Sequence, residues 1–227
     1  TLPEVLMVAE KPSIAGSIAA ILSKGTHQTR GGKLPVHVFE GDFMGKKVEF
    51  KVGNSAGVDM ALGDISIGHV FNLDFAPEYQ NWEKTDCLDL FGAKTIRKEA
   101  SGGVIRHLKD VGRNVYALYP HLTDSDYLVL WLDCDREGEN ICFEVLSCVK
   151  PVMKSDKGRS EDVRYVGTKR VFRARYSAIT APDILKAMRT LSDPNINESN
   201  AVEARQELDL KIGVAFSRFQ TQFFRNK

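Results

Sequence analysis

Asp126-Tyr127-Leu128-Val129-Leu130-Trp131-Leu132-Asp133-Cys134-Asp135-Arg136-Glu137-Gly138-Glu139-Asn140-Ile141 is the stretch that decides the fold. Its short, continuous apolar run reads as a strand buried on both faces. The run ends in the acids Asp133, Asp135 and Glu137, and a helical pattern follows Gly138 through Ile141, Val145, Leu146 and Val149. The order is strand, polar turn, helix. Near the start of the chain Val5-Leu6-Met7-Val8-Ala9 repeats it. That run ends in Glu10-Lys11-Pro12-Ser13, and Ile14, Ile18, Ile21 and Leu22 then recur at helical spacing over residues 13–23. Two such units predict an α/β fold with a parallel central sheet, flanking helices and right-handed crossovers.

The segments between and beyond them read less sharply. Val36 to Phe39 and Lys47 to Val52 flank Gly41-Asp42-Phe43-Met44-Gly45 and predict a β-hairpin. Residues 53–100 are Gly-rich and predict loops and short elements. Residues 154–168 are polar and predict an exposed loop. Residues 171–176 alternate like a strand. Thr180 is placed to cap a helix over residues 181–191, residues 194–200 form a turn, and helical periodicity runs from Ala201 to about Phe224.

Composition excludes several classes. Of 227 residues, 43% are hydrophobic and 27% charged, too apolar for wholesale disorder. No apolar run reaches the 18 residues that a membrane helix needs, and the first residues lack a secretory signal. Both ends look cut. The net charge of +1 hides a division: residues 1–149 carry 15 basic and 21 acidic side chains, and residues 150–227 carry 16 and 9. A basic tail hints at a polyanionic partner, although charge runs are more often solvated faces. Cys87, Cys134, Cys142 and Cys148 form no C-x-x-C pair and read as free thiols in a reducing compartment.

In an open parallel sheet, functional groups gather past the C-terminal ends of the strands. Glu10 lies there on one unit, and Asp133, Asp135 and Glu137 on the other. If the strands are neighbours, four carboxylates converge, with Asp133 and Asp135 on one side and Cys134 turned away. Such a group suits a hard cation, and Mg2+ fits its oxygen donors. Lys11 beside it suits a phosphate oxygen. The plainer alternative is that these acids cap the following helix and Lys11 is a solvated side chain.

Five blocks carry a family resemblance: Val5 to Ser13, Ser66 to Phe75, Leu130 to Ile141, Phe172 to Thr180 and Ala204 to Thr221. In this order they resemble the Toprim domain and adjoining segment of type IA DNA topoisomerases, most like the beta branch of the eukaryotic topoisomerase III group. The resemblance implies a Toprim domain over residues 1–178, with a hairpin and loop insertion around 30–100. The helical start of a second, DNA-binding domain follows over 179–227. It implies a Mg2+-dependent isomerase that cuts, passes and reseals single strands, relaxing negatively supercoiled DNA, with RNA as an open second substrate.

Carried over by position, Glu10 assists proton transfer to the leaving 3′ oxygen and Lys11 stabilises the phosphate. Asp133, Asp135 and Glu137, with Glu10, form the metal site. Lys11, Ser13, His69, Arg205 and Asp209 become candidate nucleic-acid contacts. The basic tail adds Arg173, Arg175, Lys211 and Arg218 as candidate phosphate contacts, with Arg173 and Arg175 on one face of a strand. A nuclear location, with a cytoplasmic pool also open, and a protein partner of the full-length enzyme follow from the same resemblance; no membrane is implied.

Two departures stand out. None of the six tyrosines occupies the family's nucleophile context, so the chain is expected to supply a half-site. Residues 53–65 look like an insertion before Ser66, which leaves His69 equally readable as a hydrogen-bonded structural histidine. Two alternatives stay open: another Toprim enzyme such as a nuclease or primase, and a non-catalytic module that binds single-stranded nucleic acid.

Overall fold

A computed structural model describes residues 2–58, 65–66, 68–113, 126–153 and 170–225. The first half contains β1 (Glu4–Ala9), α1 (Pro12–Leu22), β2 (Gln28–Arg30), β3 (Val36–Phe43), β4 (Lys46–Asn54), β5 (Gly57–Val58), β6 (Ile65–Ser66) and β7 (Phe71–Phe75). The second contains β8 (Thr95–Glu99), α2 (Val104–Gly112), β9 (Tyr127–Trp131), α3 (Arg136–Val149), β10 (Val171–Arg173), α4 (Ala181–Arg189) and α5 (Ile196–Arg225).

Six strands form the central sheet in the order β10-β9-β1-β4-β3-β2. The first four are mutually parallel, and β3 and β2 add an antiparallel edge. The two apolar runs named from the sequence are therefore adjacent, with Ala9 opposite Trp131. Alternation sorts their side chains onto two covered faces. Val5, Met7, Ala9, Val129 and Trp131 pack with α1 and α4, while Leu6, Val8, Leu128 and Leu130 pack with α2 and α3. Burial on both faces is why neither run alternates in polarity.

The β3–β4 hairpin is present, with a tighter turn than the glycine-rich stretch suggests. Phe43 pairs with Lys46, leaving a two-residue loop of Met44 and Gly45. Both have positive φ, 50° and 75°, the signs of a type I′ turn whose twist matches the strands. Within residues 53–100, β5 and β6 pair as a small ribbon and β7 pairs with β8. Phe75, Leu90 and Ala93 pack with Ala215 of α5, so this irregular stretch is a platform under the last helix.

Two boundaries differ from expectation. The strand expected over 171–176 ends at Arg173, where the backbone pairs only briefly with Ser192. Helix α5 starts at Ile196, five residues early. Asn195 accepts from the Asn197 amide at 3.1 Å and donates to Glu198 at 2.9 Å, a variant of the N-x-x-E capping box. The expected loop at 154–168 lies outside the described residues.

One core group predicts a pH response. His107 on α2 is 7% exposed, and burial pushes its imidazole down to about 4, against the opposing pull of Asp110 and an Asn54 backbone hydrogen bond. A base whose folded pKa is depressed leaves the unfolded chain holding more protons, so stability falls as pH drops below about 6.5. Between pH 7 and pH 5 the loss from His107 is about 2 kcal/mol. Burial and His27 also push His37 down, adding to the slope. Urea unfolding of His107→Gln isolates the His107 share: its stability should change less between those pH values than that of the parent chain. An equal change in both would contradict the assignment.

Candidate active site

The carboxylates meet where parallel-sheet logic puts them, past the ends of β1 and β9. Glu10 is 9% exposed, and its carboxyl is held above the usual carboxylate range by burial first, then by the charge of Asp133 and a hydrogen bond to it. Asp135 raises it further, and Lys11, with Nζ 3.9 Å from Glu10 Oε1, pulls the other way. Lys11 is the N-cap of α1 and Ser13 sits exposed in its first turn; no side chain caps that end. A phosphate approaching Lys11 would thus meet the positive end of a helix dipole.

The turn after β9 is built to hold its acids. Asp135 caps α3, its Oδ1 accepting from the Gly138 amide at 2.7 Å. The capping role weighed from the sequence is real, and it leaves the other Asp135 oxygen out of the cap. Gly138 is obligatory here for a different reason: a Cβ on it would lie 1.9 Å from the Asp133 carbonyl oxygen. Arg173 Nη2 donates to that same carbonyl at 2.6 Å. The Cys134 Sγ accepts from the Tyr176 amide at 3.3 Å, away from the acids as alternation requires.

Glu137 has partners of its own on either side. One of its oxygens lies 2.7 Å from Arg205 Nη2 and the other 3.0 Å from His69 Nε2. His69 Nδ1 is 3.2 Å from Glu144, whose second oxygen accepts from the Val70 amide. The Glu144 hydrogen bond is the main cause that pushes the His69 imidazole above its ordinary value, with burial opposing and Glu137 assisting. Gln206 lies 3.2 Å from the same ring. His69 and Arg205 therefore tie Glu137 to α5. Asp209, one helical turn from Arg205, pairs with it at 3.8 Å.

Among the basic candidates the structure separates exposed from buried. Arg175 has a side chain 42% exposed and reaches Glu139 at 2.9 Å. Arg173 has 0% exposure, and its guanidinium is bonded to Glu139, Leu130, Ala174 and Asp133, so it cannot serve as a phosphate contact in this fold. Arg218 is likewise corrected: it is 3% exposed, donates to the Tyr79 carbonyl and stacks over the Trp82 ring. Lys211 pairs with Glu207 at 2.7 Å.

Sequence reading missed Glu139, Glu144, Gln206 and Tyr176. Tyr176 is close enough to Asp133 and Glu10 to feel both, yet burial chiefly pushes its hydroxyl far above the ordinary tyrosine range, and it donates to the Trp131 carbonyl. The signal for Glu139 was partial: an arginine in the last position of a buried strand needs a carboxylate.

As a metal site the donors are all oxygen. Among the described residues no three His, Cys, Asp or Glu side chains are grouped so that together they could hold a metal ion. Glu10 and Asp133, with Asp135 beside them, suit an ion that takes one or two carboxylates, keeps its waters and borrows oxygens from a substrate.

A family model for the Toprim domain matches residues 5–164. The chain is 48% identical over 227 residues to DNA topoisomerase 3-beta of Oryza sativa, covering 99% of this chain and 22% of that protein. It is 47% identical over 229 residues to human DNA topoisomerase 3-beta-1, covering 98% and 23%. A solved structure of full-length topoisomerase I from Thermotoga maritima aligns over 91% of this chain and 24% of that one, at 19% identity and a TM-score of 0.46. The chain thus spans under a quarter of the length of these curated relatives. Over nearly its whole length it is similar to topoisomerases of the 3-beta type, and it belongs to the Toprim-domain family.

Proposed function

We propose that this chain is the carboxylate half of the active site of a type IA topoisomerase, acting on single-stranded DNA. The observation that carries the reading is the meeting of Glu10 with Asp133 at the ends of two adjacent parallel strands, in a chain 48% identical to a DNA topoisomerase 3-beta. Breaking a phosphodiester needs negative charge stabilised on phosphoryl oxygens and a proton for the departing alkoxide. A carboxyl held above its ordinary range supplies the proton, and Glu10 has that character. The Lys11 ammonium, 41% exposed at its side chain, and the uncapped start of α1 with Ser13 supply positive potential for the phosphate.

A Mg2+ ion held by one or two carboxylates, Asp133 with Asp135, and otherwise by water and substrate oxygens would neutralise phosphate charge when bound, leaving Glu10 to give its proton. Glu137, engaged by His69 and Arg205, instead links that cluster to α5. Arg205 and Asp209 on α5, with Arg175 after β10 and His69 beside Glu137, are the groups this reading assigns to the DNA strand. The domain division carried in this reading is a Toprim unit over 1–178 and the beginning of a helical DNA-binding domain over 179–227. The attacking tyrosine is assigned to another segment of the full-length enzyme, because none of the six tyrosines here stands in the family's nucleophile context. RNA as a second substrate, a protein partner, and a nuclear location with a cytoplasmic pool extend the proposal through family likeness.

The experiment compares full-length protein with the 227-residue chain. Full-length protein should relax negatively supercoiled DNA with Mg2+, and Asp133→Ala should lower that rate by roughly a thousandfold, as loss of a group acting in the transition state does. The chain alone should bind single-stranded DNA, more weakly as salt rises, without cutting it. Mg2+-dependent nicking by the chain alone, lost in Asp133→Ala, would replace this reading with a nuclease.

A further inference from the structure

We propose that Glu139 is a positioning residue for the carboxylate turn, acting through Arg173. The inference rests on the reading of Asp133 as part of the metal and phosphate site. Glu139 lies one helical turn after Asp135 with 0% exposure. Its Oε1 accepts from Arg173 Nε and lies beside Arg175 Nη2, each at 2.9 Å, and its Oε2 accepts from the Asn195 amide at 3.0 Å. Arg173, equally buried, donates onward to the carbonyls of Leu130 at 3.2 Å, Ala174 at 2.7 Å and Asp133 at 2.6 Å.

The Asp133 peptide is therefore held from two sides. The guanidinium takes its carbonyl, and the Gly138 Cα packs against that same oxygen with no room for a methyl group. Fixing the carbonyl fixes the backbone from which the Asp133 carboxylate projects. A buried ion pair is a weak device for stability, since apolar residues of the same volume often do as well. What apolar residues cannot do is bind three carbonyls from one planar fork of donors. The second Glu139 oxygen holds the residue that opens α5, so Arg205 is set in register with Asp133 by the same side chain.

The test uses the 227-residue chain as Glu139→Gln. A glutamine keeps the volume but presents an amide N–H where two guanidinium groups or a backbone N–H must donate. The comparison is Ser199→Ala, which removes the Asn140–Ser199 Oγ hydrogen bond between the same two helices, keeps the one to the Ser199 carbonyl and does not touch the Asp133 carbonyl. Two readouts are followed at matched loss of Tm: Mn2+ binding by calorimetry, with that ion as the probe, and hydrogen exchange at the Gly138 amide. Glu139→Gln should weaken Mn2+ binding tenfold or more and speed Gly138 exchange tenfold or more, while Ser199→Ala moves neither.

Wild-type Mn2+ affinity and wild-type Gly138 exchange in Glu139→Gln would overturn the proposal, as would equal changes in Ser199→Ala. If Glu139→Gln does not fold, Arg173→Lys answers the same question. It keeps a cation for Glu139 but cannot reach three carbonyls, and it should shift both readouts the same way. If the parent chain binds no Mn2+, the metal reading falls, and Gly138 exchange alone then decides the positioning role.

Discussion

Gly138→Ala should destabilise the chain by on the order of 4 kcal/mol and abolish the turn that carries Asp133. In most helices the same substitution stabilises, by up to about 1 kcal/mol, because glycine loses more backbone freedom on folding. Here sterics decide the sign. The added Cβ would lie 1.9 Å from the Asp133 carbonyl oxygen and 2.8 Å from its carbon, both backbone atoms that no rotamer change can move. Relief requires the turn to open, which also breaks the Asp135 cap and the Arg173 hydrogen bond. For a chain this size the loss corresponds to roughly 8–16 °C in Tm. Gly213→Ala on α5 is the internal control, since a Cβ there meets nothing within 4 Å, and it should raise Tm slightly. Gly138→Ala melting with the parent would show that the turn tolerates a side chain and would undo the close-packing argument.

Lys51→Met should cost about 3–5 kcal/mol. Lys51 Nζ lies 2.9 Å from Glu4 Oε2 between the central strands β4 and β1, with side-chain exposures of 0% and 1%. Methionine preserves the apolar stem and removes the charge, which takes from a buried carboxylate its cationic partner. Adding Glu4→Gln should recover more than half of that cost, read by urea unfolding of the single and double variants at pH 7. A single-variant deficit below about 1 kcal/mol would mean that water or another cation already compensates Glu4.

Much of this architecture is legible in the chain because local signals and tertiary demands agree. Val5 to Ala9 and Leu128 to Leu132 are uninterrupted apolar runs, and only a strand covered on both faces needs such a run. The acids after each run mark the C-terminal edge of a parallel sheet. What escapes is set by contacts distant in sequence. Glu137 looks like a third member of D-x-D-x-E, but its partners are His69 and Arg205, 68 residues on each side, and no spacing rule reports them. Alternation groups Arg173 with Arg175 on one strand, but the strand ends at Arg173, and the two share Glu139 without sharing a strand face. It could not reveal that the first is sealed in the core, because that depends on α3 and the start of α5 closing over it. The early start of α5 was readable from Asn195 and Glu198, and it was obscured by Pro194, which favours a turn just before.

Helix α5 has 30 residues, so it is about 45 Å long, and it is held at two places: near its start, where Asn195 meets Glu139, and farther along, where Ala215 packs on Phe75, Leu90 and Ala93 and Arg218 donates to the Tyr79 carbonyl. It is thus a tie-beam between the carboxylate turn and the irregular platform of residues 75–93. The exposed faces of Phe216, Phe219 and Phe223, at 58%, 55% and 48%, lie along the platform half, while the half near Asn195 grips Glu137. Whatever covers those rings therefore bears on a helix already fixed at both the crevice and the platform.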